Sequence, residues 1–290
     1  MNPTVALATC AQYPDLSPDD QLLPPALERL GLRPVAARWD DAGVRWESYG
    51  AVVLRSCWDY HHRFPAFVRW LHHLESVGAR VYNPVPTLRW NMRKTYLRLL
   101  EAAGIPVTGT VWATMGSSTT LRDIRRSTGW DAMVVKPTVS ASAWETFLME
   151  RPDAAEDEER FAALLRDRDL MVQPFLPSIV TEGEISFVFV AGTFSHAVRK
   201  RPKPGDFRVQ EEHGGTAARE EVGPDLVRQA TRALAAAPGP VLYARADAAM
   251  VNRNLVITEL ELVEPMLYFG WDPSAAGRLA RALGQALAQP

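Results

Sequence analysis

The sequence lacks most features that mark secreted or membrane proteins. It has two cysteines, Cys10 and Cys57, without metal-ligand spacing, so we expect reduced structural thiols. It contains no apolar run of about 18 residues, which argues against a membrane-spanning helix. The first residues include neither a basic segment nor a long apolar one, so we predict no secretory signal and expect a cytoplasmic protein.

The sequence also lacks a strong charge of either sign. Its 290 residues include 32 basic and 34 acidic ones, for a formal net charge of -2. Such a balance argues against a protein that binds nucleic acid through bulk charge. With 47% apolar residues the chain can build a substantial core, and its length suggests one to three domains. We therefore expect neither nucleic acid nor a membrane as a partner.

Lysine is scarce, because only four of the 32 basic residues are lysines and the others are arginines. The four are Lys94, Lys136, Lys200 and Lys203. A sequence that uses arginine almost everywhere keeps a lysine for a local reason, and a compact ammonium beside a phosphate is one such reason. The alternative is chance, which we favour for Lys203.

The order of apolar segments predicts α/β and α+β architecture in three domains. Over residues 1–88 strands and helices alternate, which indicates a parallel α/β domain with its first helix at 19–30. Residues 89–172 form an α+β middle domain that begins with a helix at 91–103. Residues 173–290 contain two hairpins and a last helix that begins at Asp272.

Three acids carry the strongest chemical signal. Glu259 and Glu261 alternate on one predicted strand, so they share a face, and Asp247 can reach that face across the hairpin. Three carboxylates on one surface repel one another unless a divalent cation lies between them. Oxygen ligands suit Mg²⁺ or Mn²⁺. The alternative is a solvated strand face, which the apolar neighbours of these glutamates disfavour.

Two lysines and one loop provide a second signal. Lys94 lies in the helix that opens the middle domain, and Lys136 ends an apolar strand, which suits a nucleotide phosphate site. A solvated lysine at a strand end is the alternative for Lys136. The loop from Lys200 to Gly215 is rich in hydrogen-bond donors and contains glycines, so it is the kind of loop that closes on developing phosphate charge.

Taken in order, these segments resemble the ATP-grasp superfamily, in particular its branch of glutathione synthetase and ribosomal-protein glutamate ligase. The resemblance covers roughly residues 91–265, with a plausible preATP-grasp domain before it. No single motif is highly specific, but the ordered set is. It consists of Lys94, Val-Val-Lys136-Pro, Gln173-Pro-Phe-Leu176, Glu182-Gly-Glu184, Asp-Phe-Arg208, Asp247 and Glu259-x-Glu261.

The resemblance implies ATP and Mg²⁺ (or Mn²⁺) as cofactors and gives most of the candidate residues a role. These roles are phosphate binding for Lys94 and Lys136; the adenine pocket for Gln173, Phe175 and Leu176; ribose for Glu184; the metal for Asp247, Glu259 and Glu261; and catalysis for Arg208 and Lys200. Two departures stand out. Family members usually have asparagine where this chain has Glu261, and the phosphate loop at 138–144 contains no glycine.

In glutathione-synthetase-like enzymes the first domain helps to bind the acceptor, so we looked there for substrate residues. We expect Arg55 to pair with a substrate carboxylate and Trp58, Asp59 and Tyr60 to shape the pocket. The alternative, about equally favoured, is that the aromatic rings pack between domains. We expect Glu264 to face the substrate amine, with a hydrogen-bonded strand-end acid as the alternative.

The resemblance implies an ATP-dependent carbon–nitrogen ligase that acts through an acyl-phosphate. Several segments look like the subgroup that closes O-ureidoserine to cycloserine in antibiotic biosynthesis. The alternatives are an intermolecular amino-acid or peptide ligase, a nucleotide-binding protein without turnover, and a hydrolase with a metal on the pairs His61–His62 and His72–His73. Dimers are common in the family, and the sequence leaves the oligomeric state open.

Overall fold

The structure is a computed structural model that describes residues 3–150 and 154–289. The expected domain ranges 1–88, 89–172 and 173–290 include residues 1, 2, 151–153 and 290, which lie outside the described residues. The described strands form three sheets. No described helix is both long and apolar enough to cross a bilayer.

The first sheet is parallel and has helices beside it, as the alternating pattern predicts. Its elements are β1 (Thr4–Thr9), α1 (Leu23–Glu28), β2 (Arg33–Arg38), β3 (Ala51–Ser56), α2 (Phe64–Ser76) and β4 (Val81–Tyr82). The strand order is β2-β1-β3-β4, and every pairing is parallel. Strands β1 and β3 read as continuous apolar runs because they are buried on both faces.

The first helix is shorter than its apolar spacing predicts. A single helix was expected over 19–30, but a 3-10 turn at Asp20–Leu22 precedes α1, which begins at Leu23. Pro24 and Pro25 explain the difference. A proline has no backbone N–H to donate, so it is tolerated only in the first turn of a helix.

The helix expected at 91–103 is also interrupted, and this corrects the position of Lys94. Two helices occupy the region, α3 (Val85–Asn91) and α4 (Tyr96–Ala102). Lys94 lies in the turn between them, where its backbone N–H donates to Thr138 O at 2.8 Å. The chain leaves the helix there to dock against the segment that follows the strand of Lys136.

The second sheet is antiparallel and small. Its elements are β5 (Val111–Ala113), α5 (Leu121–Thr128), β6 (Met133–Pro137), β7 (Phe147–Met149), α6 (Ala155–Leu165) and β8 (Leu170–Pro174). The strand order is β5-β8-β6-β7. The expected boundary at 172/173 cuts β8, so we propose that the third domain begins after Pro174.

The third sheet is antiparallel and carries most of the charged candidates. Its region contains α7 (Pro177–Thr181), β9 (Glu184–Val190), β10 (Thr193–Arg201), β11 (Thr216–Glu220), α8 (Pro224–Ala235), β12 (Tyr243–Val251), β13 (Asn254–Glu261) and α9 (Ala275–Ala288). The strand order is β11-β10-β9-β12-β13. The last helix begins three residues later than expected, because Asp272 accepts from the N–H of Ser274 at 2.9 Å before the helix starts.

Strand β13 lies at the edge of its sheet, and side chains from the helices before the second sheet pair with its backbone. The amide of Asn91 donates to Leu260 O at 2.8 Å and accepts from the N–H of Leu262 at 2.7 Å. The hydroxyl of Tyr96 accepts from the N–H of Leu260 at 2.9 Å. These bonds satisfy backbone groups that an edge strand leaves open, and they fix the strand that carries Glu259 and Glu261.

Candidate active site

A cleft of about 680 Å³ opens between the three sheets, and its volume lies within the usual range of ligand sites. Its walls include all predicted site residues except Arg55 and Asp59. Those that line it are Trp58, Tyr60, Lys94, Lys136, Gln173, Phe175, Leu176, Glu184, Lys200, Arg208, Asp247, Glu259, Glu261 and Glu264. Two lysines and three acids that are far apart in sequence therefore share one cavity.

Strand register explains why the acids meet. In the β12–β13 pairing, Asp247 lies opposite Glu259 and Arg245 lies opposite Glu261. Side chains two residues apart on a strand share a face, so all four project from the same side of the sheet. The alternate residues of the neighbouring strand β9, among them Phe187 and Phe189, pack into the core.

Asp247 is held by cations on both oxygens. Arg245 donates to it from Nε at 2.9 Å and Nη2 at 3.0 Å, and Lys200 Nζ donates at 2.9 Å. The hydroxyl of Ser186 adds a bond of 2.6 Å. Burial alone would raise the pKa of this carboxyl, but Arg245 and Lys200 together hold it below its usual range. Lys200 also pairs with Glu184 at 2.7 Å.

The two lysines of the phosphate prediction differ in their partners. Lys94 Nζ donates to Glu259 at 2.5 Å and to Ser140 O at 2.8 Å. No salt bridge or side-chain hydrogen bond joins Lys136 to any residue within 3–150 and 154–289. Burial lowers the pKa of Lys136. Lys136 therefore presents an uncommitted ammonium to the cleft.

Two glutamates of the cleft have raised pKa values, with burial as the main cause. Burial raises the pKa of Glu261 to about 7, against the effect of Arg245 and with repulsion from Glu259 and Asp247. Burial and repulsion from Glu261 raise the pKa of Glu264 to about 8. A carboxyl that titrates near neutrality gains from any cation that enters the cleft.

The donor set fits a divalent cation in part. Glu259 and Glu261 supply oxygens on one face, as Mg²⁺ prefers. Both oxygens of Asp247 are already bonded, so its ligation requires Arg245 or Lys200 to move. Within the described ranges no group of three or more His, Cys, Asp or Glu residues has the geometry of a metal site.

The segment predicted for adenine lines the cleft, but part of it is already bonded. Gln173 donates from Nε2 to Thr110 Oγ1 at 2.9 Å, and the N–H of Phe175 donates to Ala132 O at 2.9 Å. Glu184, predicted for ribose, accepts from Thr258 at 2.6 Å. These bonds fix the wall of the cleft in this region.

The structure places Arg55 and Asp59 away from the cleft, contrary to the expectation that both contact substrate. Arg55 is fully buried, pairs with Asp20 at 2.9 Å and donates to Pro265 O at 2.7 Å. Asp59 accepts from Trp39 and from Arg63, each at 2.7 Å. The strand end that carries them does reach the cleft, but through Trp58 and Tyr60.

The sequence analysis missed four charged residues that line the cleft, which are Arg245, Asp19, Glu211 and Glu212. Arg245 lies two residues before Asp247 on the same strand, and that spacing was the available signal. Asp19 lines the cleft beside Trp271, and its Oδ1 accepts from the N–H of Gly270 at 3.2 Å. Its Oδ2 is buried and has no hydrogen-bond partner among the described residues. No sequence signal distinguishes Asp19 from its neighbour Asp20.

The histidines do not assemble a metal cluster in the described parts of the chain. His61 and His62 stack with ring centroids 3.9 Å apart and lie beside Trp144. His72 Nδ1 accepts a hydrogen bond from Arg89 at 2.8 Å. This geometry removes support for the hydrolase alternative.

Comparison with known proteins finds similarity over nearly the whole chain. Residues 5–83 match the family described as the N-terminal domain of D-cycloserine synthetase DcsG. Cycloserine biosynthesis protein DcsG of Streptomyces lavendulae is 29% identical over 285 residues, which cover 93% of this chain and 95% of the relative. The crystal structure of D-cycloserine synthetase DcsG superposes with a TM-score of 0.90 at 28% identity, over 98% of this chain and 99% of that one.

The chain has the fold of the ATP-grasp ligases. More distant ATP-grasp structures share the fold, among them D-alanine–D-alanine ligase from Bacillus anthracis complexed with ATP, at a TM-score of 0.69 and 12% identity over 98% and 97% of the two chains. The ATP-grasp ligase PsnB with its minimal precursor gives a TM-score of 0.67 at 19% identity, over 99% and 100%. The prediction of an ATP-grasp ligase fold with an N-terminal α/β domain is confirmed.

Proposed function

We propose that this ATP-grasp protein joins a carboxylate to a nitrogen and cleaves ATP to ADP and phosphate in doing so. The observation that carries the proposal is the shared cleft of Lys94, Lys136, Asp247, Glu259 and Glu261. Positive and negative groups alternate there as a metal–triphosphate complex requires. A site for a cation alone has no use for buried lysines, and a site for an anion alone has no use for buried acids. Burying such charges without a ligand of opposite sign is unfavourable.

The proposed position of the nucleotide is based on the residues that line the cleft. Lys136, which has no partner among the described residues, and Lys94 are the proposed phosphate ligands. The segment from Gln173 to Leu176 is the proposed adenine wall, with Glu184 at the ribose. When ATP replaces Glu259 as the partner of Lys94, that carboxylate becomes free for a cation.

Glu259 and Glu261 are the proposed metal ligands, with Asp247 as a third once Arg245 or Lys200 shifts. When bound, Mg²⁺ supplies neutralisation of charge on the phosphates. Arg245 and Lys200 hold positive charge on the same face, and Arg208 stands on the loop at the cleft wall, where it pairs with Asp206 at 2.8 Å. These cations act by positioning and by electrostatic stabilisation.

The chemistry proposed has two steps. A carboxylate oxygen of the substrate attacks the γ-phosphorus of ATP, ADP leaves, and an acyl-phosphate forms. The nitrogen then attacks the acyl carbon and phosphate leaves, while the nitrogen gives up a proton. Glu264, whose pKa burial raises to about 8, lines the cleft and in its ionised form is a base for that proton.

The substrate amine has a proposed place at the other wall. Asp19 has a buried oxygen without a hydrogen-bond partner among the described residues, and the aromatic rings of Tyr13, Trp58 and Trp271 line the same cleft. A cleft that offers a carboxylate and aromatic rings suits an ammonium group. The proposed substrate is therefore a small amino-acid-like carboxylate.

The similarity to D-cycloserine synthetase over nearly the full chain supports a narrower proposal. In that proposal carboxylate and nitrogen belong to one molecule, and the enzyme closes O-ureidoserine to cycloserine in antibiotic biosynthesis.

The test is a screen of ATP cleavage against both enantiomers of O-ureidoserine, serine and alanine with Mg²⁺, read as phosphate release and as product mass. We expect substrate-dependent ADP formation and a cyclic product. Lys136→Ala should lower kcat/KM for ATP at least about 100-fold, as expected for the loss of a desolvated charge contact. Arg126→Ala, which removes an exposed cation from the same domain, should behave like the wild type.

A linear amide formed from two molecules would establish the intermolecular ligase instead. ATP binding without cleavage for any amino acid would reject the ligase proposal in favour of a nucleotide-binding protein.

A further inference from the structure

The phosphate loop between β6 and β7 has an unusual backbone. Ser142, Ala143 and Glu145 have φ values of 49°, 53° and 52°, so three residues other than glycine adopt the left-handed region. This region is strained for residues that carry a Cβ. Without glycine, the loop keeps this shape only if contacts outside it hold the shape in place.

One side of the loop faces the cleft, and the other side does not. Ser140, Ala141, Ser142, Ala143 and Thr146 line the cleft, and Ser140 O accepts from Lys94. Trp144 and Glu145 are absent from the cleft wall and project to the outer side. The outer side chains therefore act on the ligand region only through the loop backbone.

Trp144 makes the contacts that fix the outer side. Its ring lies 5.2 Å from the ring of His61 and 5.1 Å from that of His62, between ring centroids. The guanidinium of Arg168 stacks over it at 4.8 Å and pairs with Glu145. The histidines belong to the first domain and Arg168 to the second, so Trp144 joins two domains across the loop.

His61 is suited to this contact. It is 9% exposed, and its Nδ1 has no hydrogen-bond partner among the described residues. Burial, the nearby His62 and Lys94 lower its pKa to about 4, so an uncharged ring faces Trp144 at neutral pH. The turn that carries both histidines continues directly from Trp58 and Tyr60, which line the cleft.

We propose that Trp144 is a positioning residue, clasped by the His61–His62 pair and Arg168, that holds residues 140–143 as the cleft wall beside the two phosphate lysines. The contacts of this clasp hold a backbone shape that glycines would adopt without strain, and the loop has no glycine. The loop is therefore ordered by contacts outside it and is not free to fold over the ligand. This inference rests on the proposed function for its effect on ATP, but not for its effect on loop order.

The first test measures loop order without ligand. We compare amide hydrogen exchange of residues 140–146 in the wild type, Trp144→Ala and Trp112→Ala. Trp112 is a matched control, because Arg98 stacks over it at 4.7 Å and it does not line the cleft. We expect exchange in the loop to rise roughly tenfold in Trp144→Ala alone, because this variant loses the ring contacts and the cation–π contact that hold the loop from outside.

The second test measures the nucleotide. Trp144→Ala should raise the KM for ATP roughly tenfold with a smaller change in KM for the amino acid, and Trp144→Phe should restore most of the loss. Combined with His62→Ala, the effect of Trp144→Ala should shrink, since the clasp is already broken.

Equal exchange and equal KM for ATP in Trp144→Ala and the wild type would overturn the clasp while leaving the ligase proposal intact. Equal rises in Trp112→Ala and Trp144→Ala would reduce Trp144 to a stability residue and likewise overturn it. Absence of ATP binding in the wild type would reject the ligase proposal, whereas the exchange result would still decide the clasp.

Discussion

Asp19 and Asp20 are neighbours in the chain but have opposite surroundings. Asp20 accepts from Arg55, from Ser56 at 2.7 Å and from Ser17 at 3.2 Å. Asp19 turns to the cleft, and burial together with repulsion from Asp20 raises its pKa to about 6. Asp20 therefore anchors a buried arginine, whereas Asp19 faces the cleft.

Arg55 therefore belongs to the framework rather than to substrate binding. Arg55→Ala leaves Asp20 buried without its cation, and breaking a fully buried pair in this way costs about 3–5 kcal/mol. We expect the free energy of unfolding to fall by that amount in urea denaturation.

The variant Arg126→Ala, which removes an exposed cation, serves as the comparison. Its unfolding curve should be almost the same as that of the wild type. A variant Arg55→Ala as stable as the wild type, with only a raised KM for the amino acid, would restore the substrate role expected from sequence.

Scarcity and spacing were the residue signals that worked. Four lysines among 32 basic residues directed attention to Lys94, Lys136 and Lys200, and all three line the cleft. Spacing on a strand did the same for Glu259 and Glu261. Neither signal identifies a buried ion pair. The sequence around Arg55 is the same whether its side chain faces solvent, ligand or Asp20.

At the scale of elements, the hairpin of β9 and β10 determines the ionic face of the site. Its turn at Ala191 and Gly192 has φ values of 48° and 75°, the conformation that suits a tight hairpin. Lys200 on β10 lies opposite Glu184 on β9. Register in this hairpin therefore sets the distance between Lys200 and its acidic partners.

A substitution at Gly183, directly before β9, tests whether the register between β9 and β10 is fixed. A Cβ there would lie 2.4 Å from Lys200 O, whereas a Cβ at Gly192 meets nothing within 4 Å. Both glycines have positive φ, so alanine strains the backbone equally at the two sites. We expect Gly183→Ala to destabilise the protein by about 1–3 kcal/mol more than Gly192→Ala, as for other overpacked sites.

Denaturation of the two variants measures the difference, and ATP affinity shows whether Lys200 has moved. Identical unfolding curves would mean that the strands tolerate a shift at this point.

Some helices and strands end where the local sequence pattern ends, and others end where a distant segment bonds to the chain. The spacing of apolar residues predicts an apolar strand at 4–10 and a helix at 64–77, and β1 and α2 each end within one residue of these bounds, because these elements follow their own periodicity. It missed the break at Lys94, where the backbone bonds to Thr138 on a distant segment. A pattern of apolar residues continues through such a break and gives no sign of it.

At the scale of the whole molecule, folding brings acids and cations of the third sheet into one cleft with Lys94 and Lys136 of the middle domain and Asp19 of the first. The result is a ligand-free protein with raised carboxyl pKa values in its centre. Burial and Glu261 raise the pKa of Glu264 to about 8, well above the 4.5 of an unfolded chain. The folded state therefore keeps a proton that the unfolded state releases.

This difference predicts how stability depends on pH. Since the folded state binds more protons between pH 4.5 and 8, the free energy of unfolding falls as pH rises, by up to about 1.4 kcal/mol per pH unit for one such group. The window from pH 6.5 to 8.5 reports mainly on Glu264 and Glu261, because Asp19, with a pKa of about 6, has already lost most of its proton there. His61, with a pKa of about 4, changes stability at lower pH and in the opposite direction.

Urea denaturation of the ligand-free protein across this window measures the slope, and Glu264→Gln should reduce it. A flat profile in the wild type, or an equal slope in Glu264→Gln, would contradict the assignment.

By itself the sequence determined the order of strands and helices, the three-part architecture and the face shared by Glu259 and Glu261, because periodicity and turn residues act over a few positions. Only the tertiary structure decided which side chains reach the cleft. Arg55 bonds to Pro265 O across 210 positions, Asp19 rather than Asp20 faces the ligand region, and Trp144 meets histidines of another domain. Burial and charge pairing depend on which distant segments meet, and folding alone brings them together.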